Sequence, residues 1–146
     1  MPSSNRIAAT VATLSAIAAA IALAAPEAGA TVTSIRIERG QGFGSSESAR
    51  GTGCSYTVIA QTDPGKEVVF LDEVDADVSY TPFRPAGVVA DASGTASTTW
   101  TPAKRGQHHV WVVERVSEDE GEGYSTATPL TIGTGFNVGP ACVVLP

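Results

Sequence analysis

Residue types that carry most hydrolytic and metal chemistry are scarce in this chain of 146 residues, which has two histidines and two cysteines. The histidines are adjacent, His108 and His109, and neighbours on a strand point to opposite faces, so they do not act together on one substrate. No Gly-x-Ser-x-Gly elbow, no zinc-type Cys/His spacing and no Asp-x-Asp-x-Asp-Gly calcium loop occurs. A small hydrolase therefore lacks its parts, and the expectation is a non-enzyme without a cofactor. Basic residues are few, nine against fifteen acidic ones for a formal charge of −6, which argues against nucleic acid and anionic membrane surfaces as partners. A capped helical period is missing from residues 31–146, whereas turn signals recur every eight to twelve residues or so, as in an all-β sandwich.

What is present first is an apolar N-terminal run from Ile7 to Ala25, preceded by Arg6 and followed by Pro26 and the small-residue site Ala28-Gly29-Ala30. That reads as a secretory signal peptide over residues 1–30. The run approaches the length of a membrane span, but it is rich in alanine and ends in a cleavage-type site. No cysteine follows it to accept a lipid, and the terminal Val143-Val144-Leu145-Pro146 is too short to anchor a protein. The expectation is a secreted protein, held at the surface only by non-covalent contacts, with no membrane contact after cleavage. Residues 31–146 suffice for one immunoglobulin-sized domain.

Cys54 and Cys142 are read as a disulfide, because an even pair in an exported chain oxidises. A closed loop of roughly 90 residues is worth about 4.5 kcal/mol in the chain-entropy model.

Period-two alternation places strands at Thr31–Arg39, Cys54–Gln61 and Glu67–Asp72, then at Ala76–Tyr80 and Val88–Asp91. Two apolar-rich runs, Thr95–Trp100 and Gln107–Val116, flank the turn residues Pro102 to Gly106 and read as a β-hairpin. Ser125–Ile132 and Ala141–Leu145 complete the set. Gly40–Gly53 reads as a long loop; its Gly40-Gln41-Gly42-Phe43-Gly44 piece is not a phosphate cradle, since no helix pattern follows. Ser117–Gly123 reads as a mobile acidic loop and Gly133–Pro140 as a loop carrying Phe136 and Val138.

Several stretches together resemble the bacterial Ig-like repeat family: Gly53-Cys54-Ser55-Tyr56-Thr57-Val58, the Val-Val-Phe of the third strand, Gly94-Thr95-Ala96 with Trp100-Thr101-Pro102, Gly106-Gln107-His108, and Ala141-Cys142-Val143-Val144-Leu145-Pro146. Within that family the chain is similar to small, single-domain exported members of Gram-positive bacteria. The resemblance implies a Greek-key β-sandwich of about seven strands and a role in adhesion, spacing or recognition at the cell surface. It implies no catalytic residues.

Three groups of residues bear on binding. His108 is expected inward near a strand end, hydrogen-bonded to backbone. Asp63 with Glu118, Asp119, Glu120 and Glu122 would gather at one end of a sandwich, and Asp72, Glu73, Asp75 and Asp77 at the other. Each group reads as a solvated acidic loop rather than a calcium site. Trp100 shares parity with Ala96 and Thr98 and reads as core. If Val110 and Val112 face inward, then His109, Trp111 and Val113 stand outward beside Val69 and Leu71, an apolar stripe where a polar face is expected. Two alternatives stand beside that reading: the C-terminal loop with Phe136 and Val138 folds over the stripe, or the parity is reversed. The partner implied by an open stripe is a protein or glycan of the cell envelope; in the glycan case Trp111 and Tyr124 stack on sugar rings. Oligomeric state is not set by these residues.

Intact mass of the purified, non-reduced protein should show an N-terminus at Thr31 and two hydrogens fewer than the dithiol form. Two free thiols would contradict the pairing.

Overall fold

A computed structural model describes residues 32–38, 50–115, 129–139 and 141–145, and the backbone of 121–125. The N-terminal apolar run, most of the Gly40–Gly53 segment and the acidic residues Glu118, Asp119 and Glu120 lie outside the described residues. Among the described residues the strands are β1 (Ser34–Ile37), β2 (Arg50–Gly51), β3 (Tyr56–Gln61), β4 (Glu67–Val74), β5 (Asp77–Ser79), β6 (Phe83–Arg84), β7 (Gly87–Val89), β8 (Thr95–Trp100), β9 (Gly106–Arg115), β10 (Gly121–Ser125), β11 (Leu130–Asn137) and β12 (Cys142–Leu145). One sheet has the order β1-β3-β8-β6 and the other β12-β11-β9-β4-β5, with β10 added to β9, β2 to β11 and β7 to β4. Seven of these strands, β1-β3-β8-β6 facing β11-β9-β4, reproduce the Greek-key order of an immunoglobulin-type sandwich. The other five are short edge additions, which is why alternation counted over longer runs finds fewer strands.

The expected hairpin between the two central runs is not formed. β8 pairs with β3 and β6, while β9 pairs with β4, β10 and β11 in the opposite sheet. The connection from Thr101 to Arg105 crosses between layers, pinned by Thr101 N–H to the Pro82 carbonyl and by Gly53 N–H to the Pro102 carbonyl. Each run has a full apolar face, Ala96, Thr98 and Trp100 on one and Val110 and Val112 on the other. Two such faces bury more surface by meeting across the core than by lying side by side in one sheet.

That core holds Tyr56, Val58 and Ala60 from β3, Val68 and Phe70 from β4, Phe83 from β6, and Ile132 from β11. Trp100 is fully buried at its centre, with ring centroids of Phe83 at 6.3 Å, Tyr56 at 5.8 Å and His108 at 5.8 Å. Burying each large apolar side chain contributes about 1.5–3 kcal/mol. A two-residue turn joins β4 to β5 with Asp75 and Ala76 both at positive φ, 52° and 65°, the backbone of a type I′ hairpin turn.

Four segments differ from their sequence reading. β4 continues through Glu73 and Val74 rather than stopping at Asp72. Gly121–Gly123, expected in the acidic loop, form the start of β10, and Arg50–Gly51 form β2 within the expected Gly-rich loop. The fourth is Gly133–Asn137, which remain in β11 and pair with β12 as Thr134 to Leu145 and Phe136 to Val143. Their glycines serve close approach, not turning. A Cβ on Gly133 would overlap the Leu145 carbonyl oxygen, and one on Gly135 would overlap the Thr52 carbonyl oxygen and lie 2.6 Å from Cys54 Sγ. The Cys54–Cys142 disulfide, with Cα atoms 5.8 Å apart, closes beside these glycines.

Gly135→Ala should therefore destabilise the domain by about 1–3 kcal/mol through overpacking against backbone. Equilibrium denaturation measures this directly; an unchanged midpoint would mean that the Gly51–Cys54 segment yields freely.

Candidate functional site

The strand pair β4 and β9 organises both the core and the exposed surface of the larger sheet. Its register sets Val69 opposite Val113, Leu71 opposite Trp111 and Glu73 opposite His109. The alternation predicted for both strands holds, since Val110 and Val112 are fully buried while His109, Trp111 and Val113 are on the outer face with Val69 and Leu71. The middle of this face is apolar. Its ends carry charge: Arg115 lies 3.4 Å from Glu67 at one end, and Glu73 Oε2 accepts a 2.6 Å hydrogen bond from Trp111 Nε1 near the other. That bond fixes the indole, which is half-buried rather than free.

The short edge strands extend the face. On one side β7 sets Gly87 opposite Val69 and Val89 opposite Glu67, and β5 sets Val78 opposite Glu73. Val89 is 61% exposed and Val78 54%, so apolar surface reaches the solvent at both corners. On the other side β10 places Gly123 opposite Val113 and Ser125 opposite Trp111. Tyr124 stands in register with Val112, one position off the Trp111 row, so the sequence pairing of Trp111 with Tyr124 as two stacking rings does not share a row.

Phe136 and Val138 do not cover the stripe. β11 meets β9 only at Leu130–Ile132, against His108–Gly106, and then runs on past the start of β9, away from Trp111. Both side chains are themselves exposed, at 50% and 58%.

Inside the sandwich the same two strands carry a polar cluster that the sequence reading divided. His108 is buried, as expected, and its Nε2 lies 3.0 Å from the Lys104 carbonyl oxygen. Its Nδ1 lies 2.8 Å from Asp72 Oδ1, and Asp72 Oδ2 also accepts a 3.0 Å bond from Trp100 Nε1. A carbonyl only accepts, so Nε2 carries a hydrogen, and a second proton is shared between Nδ1 and the Asp72 carboxylate. Asp72 is thus a core residue, not part of a solvated acidic loop. Only the alternation of β4, extended one pair further to Val74, signals this, because it gives Asp72 the parity of Val68 and Phe70. At the other end of the inward row, buried Glu114 pairs with Lys66 at 2.7 Å.

The remaining acidic residues are spread. Asp63 is exposed between β3 and β4, Asp77 pairs with Lys104 at 3.0 Å, and Glu122 lies in β10. Among the described residues no group of three or more His, Cys, Asp or Glu side chains is placed to hold a metal ion.

No family model matches the chain, and no curated protein matches it. Among solved structures the chain is similar to an ASH/PapD-like domain of human CEP192, PapD-like domain 7, at 14% identity and a TM-score of 0.33, over 88% of this chain and 97% of that one. The immunoglobulin-like assignment accordingly rests on the strand order itself, and the resemblance to bacterial Ig-like repeats on the sequence motifs alone.

Asp72→Ala should cost about 3–5 kcal/mol, because it strands the buried His108 and Trp100 donors. In the same denaturant series Trp100→Ala should cost about 3–5 kcal/mol and Trp111→Ala only about 1 kcal/mol, the scale of one cross-strand pair. A Trp111 loss as large as that of Trp100 would make the outer face structural.

The hydrogen bond and charge of Glu114 hold the Lys66 ammonium above the usual lysine range. A raised folded-state value means that this pair stabilises the fold below the unfolded lysine pKa of about 10.4, and that the contribution fades as pH rises through the folded value. Alkaline unfolding should thus begin at lower pH in Glu114→Gln than in the parent, with the difference shrinking once Lys66 is deprotonated.

Proposed function

We propose that this protein is a non-catalytic recognition module, exported to the cell envelope, that binds through the outer face of β4 and β9. The observation that carries the reading is the row arrangement on that face. Val69, Val113, Leu71 and Trp111 form an apolar centre, with Glu67–Arg115 and Glu73–His109 at its ends. Interfaces are built this way, apolar in the middle and polar at the rim. Trp111 is the anchor, and aromatic residues dominate binding energy at such sites. Its bond to Glu73 holds the ring in place before any partner arrives, which lowers the entropy lost on binding.

Export is supported by the N-terminal signal pattern, and the Cys54–Cys142 disulfide is compatible with an oxidising, extracellular setting. The motifs shared with bacterial Ig-like repeats favour a surface role of the adhesion or spacing kind. A protein is favoured over a glycan as partner, because among the described residues Trp111 has no second aromatic in its row and its indole N–H is already engaged by Glu73.

Purified protein incubated with isolated cell walls should be retained, and Trp111→Ala should reduce that retention about tenfold or more, as expected for loss of an anchor side chain. Walls stripped of protein should lose it as well. Absence of retention, or retention insensitive to Trp111, would overturn the reading.

A further inference from the structure

β11 and β12 form a two-stranded ribbon that continues past the start of β9. At its closed end Val138 N–H donates to the Ala141 carbonyl, and in an antiparallel pair bonded and non-bonded rows alternate. Phe136–Val143 and Thr134–Leu145 are therefore the bonded rows. The residues between them turn their N–H and C=O groups outward, to the two edges of the ribbon. On the β11 edge these groups are used: the Gly133 carbonyl accepts Thr52 N–H at 3.1 Å, and Gly135 N–H donates to Thr52 Oγ1 at 3.3 Å. On the β12 edge the N–H and C=O groups of Cys142 and Val144 have no partner among the described residues.

The other strands at sheet ends are protected against pairing with a foreign strand, as edges of stable sheets are. β1 carries Arg36, β6 lies between Pro82 and Pro85 and carries Arg84, β5 begins at Asp77 with Lys104 beside it, and β7 is three residues long. β12 has no such device. Neither charge nor proline occurs within Cys142–Leu145, and no charged side chain occurs anywhere in residues 123–146.

One face of the ribbon is apolar as well. Phe136, Val143 and Leu145 share it, with Phe136 and Leu145 exposed, while Val144 and the disulfide-bonded Cys142 face the other way. Arg105 stands at the Leu145 end, its Nη1 3.3 Å from Thr134 Oγ1, and has no carboxylate partner among the described residues.

An apolar surface of this kind suits a lipid or a protein. Lipid does not satisfy the two outward residues, and an unbonded backbone group is excluded from hydrocarbon. An added strand satisfies them directly. We infer that β12 accepts an extended segment of another protein as a further strand of the sheet. That segment is apolar at alternate positions, to lie beside Val143 and Leu145, and carries a carboxylate that reaches Arg105. The site is separate from the outer face of β4 and β9, and neither depends on the other. Two outward residues allow about four backbone hydrogen bonds, so the dissociation constant is on the order of 0.1 mM.

The probe is a synthetic peptide of about eight residues, within the usual range of strand lengths, alternating valine and threonine with an aspartate at each end. Added at about 1 mM to the purified protein with its disulfide intact, it should slow amide hydrogen exchange at Cys142 and Val144 about tenfold, the ratio of peptide to dissociation constant. Val143 and Leu145, already bonded to β11, should change little. Phe136→Ala with Leu145→Ala should weaken binding about tenfold or more, and unfolding midpoints verify that the variant is folded. Arg105→Gln should weaken it about twofold to fivefold, the scale of an exposed ion pair, and should leave a peptide with asparagine ends unaffected. Unchanged exchange at Cys142 and Val144, or equal binding without the Phe136 and Leu145 side chains, would overturn the inference. Slowing of the same two amides when the protein alone is concentrated would make a second copy the occupant, and binding to phosphatidylcholine vesicles in place of the peptide would make it a lipid surface; either result overturns the proposal. An Arg105→Gln protein that still prefers aspartate ends as the parent does would overturn the assignment of the carboxylate.

Discussion

Asp72 ties the two layers of this sandwich together. Its carboxylate takes the indole N–H of Trp100 from one sheet and shares a proton with His108 in the other, and His108 in turn reaches the Lys104 carbonyl in the loop that joins those strands. A buried carboxylate is tolerated only when its oxygens are occupied, so the position of each partner is set by the need to satisfy the others. Hydrophobic packing alone would let β8 and β9 slide past one another by a residue pair at modest cost. With Asp72 between them, a slip leaves three polar groups stranded in the core.

The C-terminal strand depends on a second, local constraint. β12 can lie against β11 because Gly133 and Gly135 leave room for the Leu145 and Thr52 carbonyl groups, and the Cys54–Cys142 disulfide closes in the same space. Alternation slips along β11, for Ile132 and Gly135, three residues apart, both face inward. Past that slip Phe136 and Val138 point to solvent, and β12 is held by its hydrogen bonds, by Val144 in the core and by the disulfide. This carries β12 and the described end of β11 away from the outer face of β4 and β9.

The strand pair β4 and β9 is apolar in the middle and charged at both ends on each of its two faces. Inward, the Phe70–Val112 row lies between the row of Asp72, beside His108, and the row of Glu114, paired with Lys66, and Val110 and Val68 complete those two rows. Outward, Val69, Leu71, Trp111 and Val113 lie between Glu73–His109 and Glu67–Arg115. The inward face is covered by the second sheet. The outward one has the same design, and among the described residues no second layer lies over it, the physical reason for reading it as a contact surface rather than as ordinary sheet exterior.

Local alternation, turn residues and cysteine count are properties of short segments, and they were sufficient for the all-β class, the disulfide partners, the burial of Trp100 and His108, and the outward parity of Trp111 and Val69. Pairing between strands is not a local property. The runs around Pro102 satisfy a hairpin and a crossover equally well in sequence, and only the presence of β3 on one side and β4 on the other makes the crossover bury more surface. Asp72 reads as one acid among four until Trp100 and His108 are brought to it from 28 and 36 residues away. Gly133 and Gly135 read as turn residues until β2 and β12 approach them. Sequence by itself determined which side of each strand is apolar, because that is written at period two along the chain. Tertiary structure alone decided what each side meets, because distant segments supply the partners for buried charge, for close backbone approach and for the sheets themselves.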